Sequence, residues 1–233
     1  WTVEQFYRYA KEELDSGNFG GAVKAYEALE ARYPFGRYAQ QAQLDIAYAY
    51  YRDNETAQAV SAADRFMKLH PNHQYVDYAL YIKGLAYFKP DLGMFGELLN
   101  LVASERDPKA LRESFEVFKD LVVRFPESRY AEDARSRMAY LVNSMAANEV
   151  HVARYYLKRG AYVAAANRAQ FAIKTYPNTP VVEEALFVLL TAYDKLGMTD
   201  LRDDTERVMK KNFPESRLYA EGLERKKAWW QLW

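Results

Sequence analysis

One ten-residue pattern constrains this chain more than any other property it has. Tyr33-Pro-Phe-Gly-Arg-Tyr-Ala-Gln-Gln-Ala42 recurs as His70-Pro-Asn-His-Gln-Tyr-Val-Asp-Tyr-Ala79, Phe125-Pro-Glu-Ser-Arg-Tyr-Ala-Glu-Asp-Ala134, Tyr176-Pro-Asn-Thr-Pro-Val-Val-Glu-Glu-Ala185 and Phe213-Pro-Glu-Ser-Arg-Leu-Tyr-Ala-Glu-Gly222. Each copy sets a ring before a proline, then a short polar turn, then a helix-forming run. Proline lacks an N–H and restricts the residue before it, so it ends one helix, and Ser or Asn close behind can cap the next. The pattern is a joint between helices.

The spacing of the joints defines the repeat. Their prolines fall at 34, 71, 126, 177 and 214, which gives intervals of 37, 55, 51 and 37. Stepping back 17 residues from each reaches Gly17, Asn54, Lys109, Gly160 and Gly197. Gly and Asn most easily take the left-handed turn that closes a helix. Lys109 follows Asp107-Pro108 instead, and proline starts a helix by another route. Each unit therefore reads helix, turn, helix, proline joint, the anatomy of a tetratricopeptide repeat with its period of about 34 residues. The apolar positions agree: Ala22, Tyr26 and Leu29 precede Pro34, Ala59, Ala63 and Phe66 precede Pro71, and Ala165, Ala169 and Ala172 precede Pro177. In the fifth unit Arg202 and Glu206 replace small and aromatic residues, as expected of a terminal repeat with a polar outer face.

These signals predict helices at 3–16, 18–32, 38–52, 55–69, 75–88, 108–124, 129–158, 161–175, 180–196, 199–211 and 216–232, and no sheet. The expected fold is all-α: a solenoid of five helix-turn-helix repeats closed by a C-terminal capping helix. The third interval is long because of an insertion at about 89–107, which carries Phe95, Leu98, Leu99 and Leu101. A loop of that length is usually functional or disordered. The fourth is long because its first helix, 129–158, would run about 45 Å. Its stripe of Met138, Leu141, Met145, Val152 and Tyr156 breaks at Glu149, so the helix can serve two blocks. The expected blocks are 1–127 and 128–233. On the last helix Tyr219, Leu223, Trp230 and Trp233 share a face that either covers the final repeat or contacts a partner.

Composition excludes several function classes. Lys+Arg and Asp+Glu balance at 32 each, so no net field recommends nucleic acid or an anionic surface. Cysteine is absent, which removes disulfides, thiolate metal sites and cysteine nucleophiles. No apolar run approaches the roughly 20 residues that span a bilayer. His70 and His73 flank a joint without a third ligand in view, and His151 sits off the apolar stripe of its helix. Gly93-Met-Phe-Gly96 lacks the strands of a nucleic-acid clamp, and no phosphate-cradling glycine loop is present. Acidic pairs such as Glu132-Asp133 and Glu183-Glu184 open helices, where they complement the helix dipole. No catalytic constellation, cofactor or metal is indicated.

A helical-repeat solenoid offers surface instead. The first helix of each unit lines a concave groove that takes extended peptides or partner helices. Groove candidates are Tyr48 and Tyr51 in the second unit and Tyr78, Tyr81, Tyr87 and Phe88 in the third; for any single one core between repeats is the simpler reading, but the cluster is dense enough that some should reach the groove. Phe35, Arg37 and Tyr38 join them, because Phe35-Gly36-Arg37-Tyr38 is more particular than a joint requires.

Specific residues also resemble a family. Arg32 to Asp45 with Ala47-Tyr-Ala-Tyr-Tyr51, then Asp64-Arg-Phe66, His73, Asp77-Tyr78, Tyr81, Gly84-Leu85 and Arg106-Asp-Pro108, are similar to the BamD family. These are tetratricopeptide lipoproteins of the outer-membrane β-barrel assembly machine. Phe115, Leu121-Val122, Glu149, Val152-Ala153, Tyr155-Tyr156, Arg159-Gly-Ala161, Val163-Ala164 and Asn167-Arg168 extend the likeness, which runs to about Pro180 and includes the insertion. It implies a periplasmic protein held at the outer membrane by an N-terminal lipidated cysteine that this chain does not contain. It further implies that the N-terminal repeats recognise C-terminal aromatic signals of unfolded outer-membrane proteins. The C-terminal repeats would bind the POTRA domain of BamA nearest its barrel, with the family arginine falling on Arg168 and with Arg159 and Asn167 in the same block. BamC and BamE are implied as further partners. The alternative is another repeat adaptor of the cell envelope.

Overall fold

A computed structural model describes residues 1–88 and 108–218. Among the described residues there are ten helices and no strand. They are α1 (Val3–Asp15), α2 (Phe19–Arg32), α3 (Arg37–Arg52), α4 (Thr56–Leu69), α5 (Val76–Tyr87), α6 (Pro108–Arg124), α7 (Ala131–Lys158), α8 (Tyr162–Thr175), α9 (Val182–Lys195) and α10 (Thr199–Asn212). The all-α repeat fold read from the joints is the fold observed. The insertion at about 89–107 and the tail beyond Leu218, where the capping helix is expected, lie outside the described residues.

The punctuation works as the residue types dictate. Gly17, Asn54, Gly160 and Gly197 all have positive φ, between 62° and 83°, and Asn54 is the one non-glycine among the described residues to do so. Three joints share a hydrogen-bond scheme of two successive turns. In each, the N–H three residues after the ring residue donates to the ring residue's carbonyl, and the N–H three further on donates to the next: His70–His73–Val76, Phe125–Ser128–Ala131 and Tyr176–Thr179–Val182. Proline can occupy the first turn because its missing N–H is not required there. The first joint differs, since Gly36 sits at φ +95° immediately before α3 and offers no side-chain cap. Elsewhere caps are supplied locally. Thr2 and Gln5 form a capping box on α1, and the Asn18 side chain accepts from the Gly21 N–H at the start of α2.

Packing follows chain order. Neighbouring helices pair from α1 to α6 and again from α8 to α10, while α1 with α3 and α3 with α5 form a layer of first helices. The expected interlocking positions are the buried ones: Ala22, Tyr26, Leu29, Ala59, Ala63, Phe66, Ala165, Ala169 and Ala172 are all sealed from solvent. Small residues let helices approach closely, and each buried ring contributes about 1.5–3 kcal/mol. Burial in α10 has moved to Thr205 and Met209, with Arg202 and Glu206 partly exposed.

The described residues form two compact units, divided within α7 between Leu141 and Val142. The 28-residue helix α7 is about 42 Å long and gives residues to both. Its burial departs from the single stripe read in the sequence. Leu141 is buried, but Met138, Met145, Val152 and Tyr156 are only partly so, and Ala134, Ala146, Val150 and Ala153 lie deepest. A helix that serves two cores need not keep one apolar face. His151 is exposed.

Candidate peptide and partner surfaces

In the first unit the inner layer of α1, α3 and α5 gathers tyrosines around one carboxylate. Asp45 of α3 is 6% exposed and accepts from the Tyr7 hydroxyl at 2.8 Å and from Gln41 Nε2 at 3.2 Å. Burial lifts its carboxyl above the ordinary range; hydrogen bonds from Tyr7 and Gln41 and the charge of Lys11 oppose the shift without cancelling it. Burial and then the Asp45 charge make Tyr7 and Tyr78 much harder to ionise. Tyr26 is affected the same way, and its sealed hydroxyl lies near the carboxylate without a hydrogen bond of good geometry. Tyr38 packs 5.4 Å from Tyr7, and Arg37 lies 4.9 Å over the Tyr38 ring.

The remaining groove candidates form further groups. Tyr48 and Tyr51 pair at 6.2 Å, with Arg52 donating to the Tyr48 hydroxyl at 2.8 Å. Tyr81 stacks on Tyr130 at 4.6 Å and donates to Asp133 at 2.7 Å. Burial pushes the Tyr81 hydroxyl up to about 12, helped by that bond. Burial works against the Asp133 carboxylate too, but hydrogen bonds from Arg137 and Tyr81 outweigh it and hold the group below its ordinary range. Phe35 stands 90% exposed in the first joint. Tyr78 is a groove candidate of the sequence, whereas Tyr7, Asp45 and Tyr130 are not singled out there. The one available signal was a charge inside the apolar run Leu44-Asp45-Ile46-Ala47.

In the second unit, Arg159, Asn167 and Arg168 are all exposed where α7 passes into α8. Arg168 Nη1 lies 3.0 Å from Glu149 Oε2; the arginine side chain is 48% exposed and the glutamate 18%. Arg159 follows the end of α7 with its guanidinium 5.7 Å over Tyr155. Val163, Asn167 and Phe171 succeed one another at four-residue spacing, so they share a face of α8. Val163 and Phe171 are large exposed apolar side chains, as is Tyr155. The surface is thus apolar, rimmed by two arginines, one of them already partnered. Among the described residues no group of three or more His, Cys, Asp or Glu side chains could hold a metal, and no helix is long and apolar enough to cross a membrane.

Comparison with known proteins places the chain. A family described as "Outer membrane lipoprotein" (YfiO) matches residues 1–208. "Outer membrane protein assembly factor BamD" of Neisseria meningitidis serogroup A is 50% identical over 234 residues, which covers 100% of this chain and 88% of that protein. The protein of the same description from Vibrio cholerae is 40% identical, covering 89% and 86%. That of Haemophilus influenzae is 32% identical, covering 91% and 80%. Among solved structures, the crystal structure of MamA protein is similar with a TM-score of 0.39 and 15% identity over 96% of each chain. The relatives are assembly factors rather than enzymes, and they associate with the outer membrane. The chain belongs to the BamD family of outer-membrane protein assembly factors.

Proposed function

We propose that this chain is a non-enzymatic scaffold of outer-membrane β-barrel assembly, tethered by a lipid at the periplasmic face, with one partner surface in each unit. The second unit binds the POTRA domain of BamA through Arg168, Arg159 and Asn167. The inner layer of the first unit takes the C-terminal aromatic signals of unfolded outer-membrane proteins, at Phe35, Arg37, Tyr38, Tyr48, Tyr51 and Tyr81. BamC and BamE are further partners of the same scaffold.

The observation that carries this reading is the Arg168 side chain, half exposed on the helix that also exposes Val163 and Phe171, and bonded to Glu149 through one nitrogen only. Arginine has five N–H donors in a fixed fork, so a carboxylate from a partner can be bound while Glu149 stays or leaves. Arg168→Glu should weaken binding to a BamA POTRA fragment by about 1.5–3 kcal/mol, the loss typical of a charge-assisted interface bond. Isothermal titration with circular dichroism as a folding control checks it; unchanged affinity with intact helicity counts against the assignment. For the first unit, a photo-crosslinking peptide ending in Phe should label helices α1 to α5, and labelling confined to the second unit would sink that half of the proposal.

A further inference from the structure

The first unit carries an aromatic edge that neither surface above uses. Trp1 is 63% exposed, and its ring meets Phe6 at 5.2 Å and Tyr9 at 5.3 Å, both edge-on. Tyr9 is itself 42% exposed. Phe6 continues to Tyr33 at 6.3 Å, and the Tyr33 hydroxyl donates to the Trp1 carbonyl at 3.0 Å, so the first joint clips the edge together. The Arg32 guanidinium lies 5.8 Å over both the Phe6 and the Tyr33 ring and pairs with no carboxylate among the described residues. The acids of α1 do not neutralise it. Glu4 and Glu12 stand at four-residue spacing with Arg8 on another face of the helix from Phe6 and Tyr9. Glu13 bonds to the Asn18 side chain.

Rings that hold an apolar body out and a polar tip beside it suit the boundary between water and acyl chains, where Trp and Tyr concentrate. An unpaired guanidinium among them matches an anionic headgroup. We infer that Trp1, Phe6, Tyr9, Arg32 and Tyr33 form a lipid-facing edge that rests in the interfacial zone of an anionic membrane. The inference rests on membership of a family of outer-membrane lipoproteins and is independent of whether a POTRA domain or a peptide binds. The occupant is lipid rather than protein, because exposed rings stand here beside a guanidinium that has no carboxylate partner among the described residues, a pairing that suits acyl chains below an anionic headgroup.

The experiment uses the full chain with Trp229, Trp230 and Trp233 replaced by Phe, which leaves Trp1 as the single tryptophan. The probe is vesicles of phosphatidylethanolamine with about one quarter phosphatidylglycerol, against vesicles without the anionic lipid. Trp1 emission should shift to the blue and be quenched by brominated acyl chains. In co-sedimentation, Arg32→Glu should lower the partition coefficient about fivefold or more at low salt, with the difference shrinking as salt rises. Trp1→Ala combined with Tyr9→Ser should lower it further, with helicity unchanged. Unshifted Trp1 emission, or equal partitioning of all variants, overturns the inference. So does a double variant that loses crosslinking to a Phe-ending peptide while still binding vesicles, because the edge would then be a peptide surface. A chain that binds these vesicles but neither POTRA nor peptide would support the edge and refute the partner reading.

Discussion

Asp45 is a carboxylate placed where solvation is lost and no cation comes within ion-pair distance among the described residues. Its folded-state affinity for a proton exceeds that of the unfolded chain. The stability linked to it is therefore fully present below the ordinary Asp range and lost as pH rises through the raised folded value. Asp45→Asn, which keeps an acceptor for the Tyr7 hydroxyl, should then raise the melting temperature at neutral pH, and the gain should fade on acidification towards the ordinary carboxylate range. Thermal melts of both chains across pH check this. A gain that grows with acid would show that the hydrogen bonds outweigh the burial. Glu149 poses the complementary question for the proposed partner surface. Glu149→Gln releases the Arg168 guanidinium without removing the side chain's volume, and it should tighten POTRA binding severalfold if the internal carboxylate competes with the partner's. Titration of that variant beside Arg168→Glu separates competition from mere positioning.

At the scale of helices, α5 and α6 approach closely at a glycine. A Cβ at Gly84 would sit 2.5 Å from the Phe118 ring, and the Ser114 hydroxyl donates to the Gly84 carbonyl at 3.0 Å. Phe118 is fully buried and its ring cannot swing into solvent. Gly84→Ala should consequently cost about 1–3 kcal/mol, as overpacking does, despite the better helix propensity of alanine. Urea denaturation checks it, and a stabilised variant would mean that the two helices can part freely. The turn at Asn54 gives a contrasting case. At φ 62° a β-branched residue is strained while glycine is not, so Asn54→Val should destabilise by about 1–2 kcal/mol and Asn54→Gly by much less.

Over the whole molecule, the two proposed partner surfaces lie in separate units, so substitutions should act independently. Tyr38→Ala should leave POTRA affinity unchanged, and Arg168→Glu should leave peptide crosslinking unchanged, within the few tenths of a kcal/mol expected for sites that share no partner residues. Coupling between them, measured in the double variant, would reveal a shared element. What could be read in advance divides along physical lines. Gly17, Asn54, Gly160 and Gly197 announce their turns because backbone conformation depends on the residue itself. Ala22, Tyr26 and Phe66 announce their burial through spacing. The Arg168–Glu149 pair spans 19 residues across a helix turn, and nothing local says that these two faces meet. Asp45 was hidden by its apolar neighbours, and α7 misled because it contributes to two cores with different faces.

The order in which helices touch has a kinetic meaning. Within the first unit the pairs run α1 to α2, α2 to α3 and onward, and α1 with α3 and α3 with α5 each skip only one element. Chains rich in such short-range contacts search little before they fold, in microseconds to milliseconds, and they can start at more than one place. Stopped-flow refolding should therefore find a fast phase that survives core substitutions in the other unit. A chain held together by its nearest neighbours can also recover order locally after a helix frays, without unfolding the rest.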